Sequence, residues 1–216
     1  MNTHWLNICN QSLKKMPEKS VLFEAIEAGD SRTVQSLITS GADLSQKDVD
    51  GRSPMRVAVA LGHLEVAKTL LSAGAEIDCL NEHIFGRAVH YQRLDIICFL
   101  IERGIDVNLR FIEYEEVTAL MEAASVGNMN IVKKLVESGA DVNAISRQNE
   151  YALMNAASKG CQEICNYLAP LTSPELRKWV EKLHPKMLLS EAPRKIDILS
   201  HVRKSVRRYN RRQSQK

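Results

Sequence analysis

Six histidines, five cysteines and a cluster of arginines are the side chains in this sequence that could move protons, hold a metal or grip phosphate. His4, His63, His83, His90, His184 and His201 stand far apart, and none sits at the spacing of a nucleophile–base pair or a metal-ligand motif. Cys161 and Cys165 are four residues apart and would share a helical face. A metal would want two further ligands, which the neighbouring sequence does not offer, so the pair reads as small packing residues. No Gly-rich phosphate loop of either common type occurs. Catalysis, a cofactor, a resident metal and a small-molecule substrate are therefore not expected. Cys9, Cys79, Cys98, Cys161 and Cys165 are odd in number and scattered, which suits reduced thiols and a cytoplasmic setting.

The basic residues are distributed unevenly. After Asp197 there is no acidic residue, while Arg203, Lys204, Arg207, Arg208, Arg211, Arg212 and Lys216 are all cationic. The remainder of the chain has 22 basic residues against 26 acidic ones, so a net charge of +3 hides a body near −4 and a strongly basic segment. Leu199, Val202, Val206 and Tyr209 form an apolar stripe at helical spacing within that segment. A basic amphipathic helix of this kind can contact nucleic-acid phosphates, an anionic lipid surface or an acidic protein groove. A solvated tail, or a helix that lays its stripe on the protein itself, explains the same residues.

The elements that must position these groups are announced by a repeat. Gly29 and Gly41, Gly62 and Gly74, and Gly127 and Gly139 each stand twelve residues apart with a similar apolar pattern between, and Gly104 keeps the second half of the pattern. Helix-opening segments recur as Leu22-Phe23-Glu24-Ala25, Met55-Arg56-Val57-Ala58, Phe85-Gly86-Arg87-Ala88, Leu120-Met121-Glu122-Ala123 and Leu153-Met154-Asn155-Ala156. Each puts a large apolar residue and an Ala on one helical face, leaving room for a neighbouring helix. A turn at Gly29, Gly62, Gly127 or Gly160 and a second apolar run complete a helical hairpin. A period near 33 residues means stacked units rather than a pocketed globule.

Gly74-Ala75-Glu76-Ile77-Asp78, Gly139-Ala140-Asp141-Val142-Asn143-Ala144, Asp50-Gly51-Arg52-Ser53-Pro54-Met55 and Gly62-His63-Leu64-Glu65-Val66 resemble the segments of the ankyrin repeat. The resemblance covers residues 20 to 170 and implies an all-α solenoid of five stacked helical hairpins with finger-like loops. His63 is then explained by its repeat position at a helix start. Spacings of 33, 30, 35 and 33 residues between helix-opening positions place the length changes in the fingers: the third finger is short, and the fourth, Leu109 to Val117, is long. Gln92 stands where neighbouring units have the turn Gly, which predicts irregular stacking near residues 78 to 118.

The ends of such an array need cover. Residues 1–19, with Trp5, Leu6, Ile8, Cys9 and Leu13, are expected as an N-terminal capping segment; interruption by Asn7 and Asn10 makes a poor signal peptide. Residues 171–185 are expected to form a closing helix, with Ser173 as N-cap, Pro174 at the first position and Leu176, Trp179, Val180 and Leu183 facing the last repeat. Residues 186–216 form the basic amphipathic segment. No stretch reaches the roughly 20 apolar residues a transmembrane helix needs.

The resemblance implies a protein–protein adaptor, scaffold or inhibitor whose fingertips and first-helix ends line a groove for another protein. Carried onto this sequence, those positions are Val49, Asp50, Arg52, Ala60 and Leu61 in the second unit, Glu82, His90 and Tyr91 in the third, Phe111, Glu113, Tyr114, Glu115, Ser125 and Val126 in the fourth, and Gln148, Glu150 and Lys159 in the fifth. Tyr91 and Phe111 have a second reading, as fillers of gaps left by the unequal fingers. The alternative function is nucleic-acid association through Arg203, Lys204, Arg207, Arg208, Arg211 and Arg212.

Overall fold

The computed structural model describes residues 20–75, 84–111 and 115–188, with eleven α-helices among them, in two compact units that divide between Ile77 and Asp78. The capping segment expected over residues 1–19 and the basic segment from residue 189 onward lie outside the described residues, as do Glu82, Glu113 and Tyr114.

The first unit holds two hairpins, α1 (Val21–Glu27) with α2 (Ser31–Thr39) and α3 (Pro54–Leu61) with α4 (Leu64–Ser72). α1 packs on α3 and α2 on α4, so like helices stack in layers. Leu22, Phe23, Ile26, Met55, Val59, Val66 and Leu70 are buried between them, spaced three or four apart as one helical face requires. Two starts are capped by side chains: Asp30 accepts from Arg32 N and Thr33 N at 3.1 Å, and Ser53 accepts from Arg56 N with Pro54 at the first position. The hairpins lock at one point. His63 donates from Nε2 to the Glu27 carbonyl at 3.1 Å, and its ring lies 2.9 Å from where a Cβ on Gly29 would stand. Gly29 is thus required twice, by its φ of 70° and by the imidazole beside it.

Among the described residues the second unit holds three hairpins and a further helix: α5 (Ile84–His90) with α6 (Leu94–Glu102), α7 (Ala119–Val126) with α8 (Met129–Glu137), α9 (Ala152–Ser158) with α10 (Gln162–Leu168), and α11 (Pro174–Leu183) followed by a 3-10 turn, Pro185–Met187. First helices stack in the order α5, α7, α9, α11, and second helices in the order α6, α8, α10. The core is aliphatic, with Ile84, Phe85, Ile96, Leu120, Ile131, Leu135, Leu153 and Ile164 buried. Asparagines stitch successive units: Asp141 N donates to Asn108 Oδ1 at 2.8 Å, and Ser173 N to Asn143 Oδ1 at 2.7 Å. The long fourth finger is a small hairpin, β1 (Arg110–Phe111) paired antiparallel with β2 (Val117–Thr118), Arg110 opposite Thr118.

Two expectations are corrected here, and the irregularity expected near residues 78 to 118 is absent from the turn that Gln92 occupies. The α5–α6 turn is regular despite Gln92, which adopts the left-handed conformation at φ 57°. Its N–H reaches the Val89 carbonyl and Arg93 N–H the Ala88 carbonyl, the same pattern that Gly62 and His63 make with Val59 and Ala58. Asn128 donates to the Gln92 side-chain oxygen at 3.0 Å, so the departure in residue type is absorbed locally. Phe111 does not face a partner: it is 4% exposed, its ring lying 2.8 Å from where a Cβ of Gly86 would be. It fills the space that the long finger and a helix without a side chain leave between them. Finally, α11 closes the unit with Val180 and not with its whole apolar stripe, for Trp179 and Leu183 are each 56% exposed. Ser173 does cap α11, accepting from Leu176 N, and Tyr151 Oη donates to the Leu176 carbonyl at 2.7 Å.

Candidate partner-binding surface

In the first unit the surface begins with a tight turn before α3. Asp48 Oδ1 accepts from Asp50 N at 3.0 Å and Arg52 N at 2.8 Å, while Oδ2 meets Arg52 Nε at 2.7 Å. Gly51, at φ 71°, closes the turn. Burial by itself would raise the Asp48 pKa, but the Arg52 N–H, the Arg52 guanidinium and the Asp50 N–H together outweigh it and hold the carboxyl below its ordinary value. Asp48 in turn raises Arg52, which also reaches Asp50 at 3.1 Å. The braced turn lifts Val49 into solvent at 72% exposure, and Leu61 is exposed at the end of α3. Ala60 is half-buried.

The second unit repeats the turn with different residues. Ser146 N donates to the Glu150 carbonyl and Ser146 Oγ accepts from Glu150 N, with Asn149 taking the left-handed place of Gly51 at φ 59°. Gln148 is exposed at the tip and Glu150 half-buried beside it. This finger is tied to the fourth one: Arg147 grips Glu116 Oε1 from Nε and Nη2 at 2.9 and 2.8 Å, Arg147 N donates to the Glu115 carbonyl, and Arg110 donates to the Ile145 carbonyl. Glu115 is exposed, and both Glu115 and Glu116 are left-handed, near φ 60°, which brings β2 back against β1.

Along the first helices, His90 and Tyr91 are exposed at the end of α5, their rings edge-to-face at 5.2 Å. His90 Nδ1 lies 2.7 Å from Glu122 Oε1 on α7. Ser125 and Val126 are half-buried at the end of α7, and Lys159 is exposed after α9. Arg87, Glu122 and Asn155 hold the same repeat position on α5, α7 and α9, two residues after the opening apolar side chain. Asn155 donates to the Met121 carbonyl, whereas Arg87 Nε is buried without a hydrogen-bond partner among the described residues. Sequence reasoning passed over Arg87, Glu122, Asp48 and Arg147. Repeat position marks Arg87 and Glu122, and the Asp-x-Asp-Gly turn marks Asp48. Pairing of Glu116 with Arg147, 31 residues apart, has no sequence signature.

Cys165 is buried in α10, and burial, with Cys161 adding to it, pushes its thiol up to about 11, so it carries almost no thiolate at neutral pH. Cys161 starts α10, its sulfur 3.0 Å from where a Cβ of Gly127 would stand. Asn128 and Cys161 therefore repeat the interlock that His63 makes in the first unit. Among the described residues no group of three His, Cys, Asp or Glu side chains is placed to hold a metal, and no helix is long and apolar enough to cross a membrane.

Known proteins share this pattern. The family model for ankyrin repeats, in three copies, matches residues 4–81, 22–111 and 85–177. The chain is 29% identical over 120 residues to protein VAPYRIN-LIKE of Medicago truncatula, covering 55% of this chain and 26% of that protein. Identity is 32% over 151 residues with an ankyrin repeat protein of fowlpox virus, covering 68% and 34%, and 34% over 127 residues with the mouse B-cell lymphoma 3 protein homolog, covering 56% and 28%. The chain thus spans about a quarter to a third of the length of these curated relatives. With its interlocked hairpins, left-handed turns and projecting fingers, the chain belongs to the ankyrin repeat family, whose repeats are protein–protein interaction modules.

Proposed function

We propose that this chain is a non-catalytic binding module, an adaptor, scaffold or inhibitor, that captures a partner protein along the fingertips and first-helix ends of its repeats in the cytoplasm. The observation that carries this reading is the set of exposed apolar and aromatic side chains held by fixed polar braces. Val49 stands on a turn clamped by Asp48 and Arg52, and Tyr91 stands against a His90 that Glu122 engages. Tyr, His and Arg at such an edge suit the centre of an interface. Because the braces exist before binding, little ordering entropy is lost on association.

The test is affinity capture from nuclease-treated lysate, followed by titration of the recovered protein against the wild-type chain and a His90→Ala/Tyr91→Ala variant. The reading expects affinity to fall about tenfold or more with thermal stability unchanged. Equal affinity of the two forms for every recovered protein would sink it. The cationic residues after Asp197 motivate a second reading, phosphate binding to nucleic acid. It expects an affinity that drops steeply with salt and disappears when Arg203, Lys204, Arg207, Arg208, Arg211 and Arg212 are replaced by Gln.

A further inference from the structure

Among the described residues of the second unit, α5 is followed by α6, α7 by α8 and α9 by α10, each second helix packing on the first. The final helix, α11, packs on α9 and is followed among the described residues only by the turn Pro185–Met187. Its cap matches that of α3, with Ser173 as N-cap and Pro174 at the first position as Ser53 and Pro54 stand there, and Ser173 N donates to the Asn143 side chain. Its apolar stripe runs Leu176, Trp179, Val180 and Leu183, but only Val180 is fully buried. Trp179 and Leu183, four residues apart and so one above the other, remain 56% exposed, with Lys182 over the indole ring at 5.6 Å. Among the described residues nothing covers this apolar pair fully.

The sequence beyond contains a segment suited to that place. Leu199, Val202, Val206 and Tyr209 are spaced as a single helical stripe, and no acidic residue interrupts the segment after Asp197. Residues 189–198 bridge to it: ten residues reach roughly 33 Å when extended, about twice the roughly 15 Å length of a ten-residue helix such as α11. Glu175 is exposed one turn before Trp179, an acidic neighbour for Arg203 or Arg207. We propose that residues 199–209 supply the second helix of this last half-unit, laying Leu199, Val202, Val206 and Tyr209 on Trp179 and Leu183 and so capping the open end of the repeats. The arginines then lie on the outer side of a docked helix.

Trp5 and Trp179 are the two tryptophans, so a full chain carrying Trp5→Phe reports on Trp179 alone. Its emission maximum and its quenching by acrylamide are measured with and without Val202→Asp/Val206→Asp. The substitutions lie outside the described residues, and circular dichroism checks that the repeats remain folded. The proposal expects a blue-shifted, protected Trp179 that moves to longer wavelength in the variant, with quenching rising roughly twofold or more as the indole returns to water. Identical emission and quenching in the two chains would overturn it. So would protection that vanishes on dilution, since that outcome makes a second copy of the chain the occupant. Protection independent of concentration and lost in the variant supports it.

Discussion

At the residue scale, three positions do what their counterparts in the repeat do not. Gln92 holds a left-handed conformation at a cost of about 1 kcal/mol that Gly would avoid. Gln92→Gly is expected to stabilise the fold by up to that amount, less what the Asn128 bond contributes, as read from the urea midpoint at constant m-value. Gly86 is the reverse case. An Ala there gains about 1 kcal/mol of helix propensity but drives a methyl into the buried Phe111 ring, an overpacking cost of about 1–3 kcal/mol. Gly86→Ala is expected to lower the melting temperature, and Phe111→Leu in the same chain to relieve part of the loss; a rise with Gly86→Ala alone would refute this packing. Asp48 carries the acid dependence. Its folded pKa lies below the ordinary value of 3.8, so its stabilisation is complete above about pH 4 and is lost as pH falls through the folded value. Asp48→Asn should be less stable than wild type at pH 7 and should lose less stability between pH 5 and 2, which denaturant titration at each pH measures.

At the element scale, hairpins recognise their neighbours through the residue after each turn. His63 bonds the turn before it, Asn128 bonds Gln92, and Cys161 fits beside Gly127. Asn128 also caps α8 by accepting from Asn130 N and Ile131 N. Asn128→Ala is therefore expected to cost about 1–2 kcal/mol, more than a cap alone, with amide exchange rising first in α8. The fingers are coupled differently, by the half-exposed Glu116–Arg147 pair. A double-mutant cycle on that pair should return less than about 1 kcal/mol, because solvent screens it. Its contribution is to hold the two fingertips in register, not to hold the fold.

At the scale of the whole molecule, Phe111 and Tyr91 are expected to separate stability from binding. Both are aromatic and both lie in the unequal part of the repeat. Phe111→Ala removes a buried ring and should cost about 3–5 kcal/mol of stability, while Tyr91→Ala should leave the melting temperature in place and weaken only partner binding. Calorimetry and titration with the captured partner, applied to both variants, distinguish these outcomes. The number of hairpins, the positions of their turns and the α-helical class were legible in the sequence, because glycine at a left-handed turn and an apolar residue followed by Ala are local requirements that recur with the period. The candidate surface was legible only as a set of repeat positions. Which aromatic points outward depended on Phe111 meeting the bare backbone of Gly86, 25 residues away. Which carboxylates brace the fingers depended on Glu116 meeting Arg147 and Glu122 meeting His90. Whether Gln92 would break the stack depended on an asparagine in the next unit. The sequence by itself determined the repeat and its caps, since those are satisfied within a few residues; only tertiary structure decided which side chains stay exposed, since burial is set by what the next hairpin brings against them.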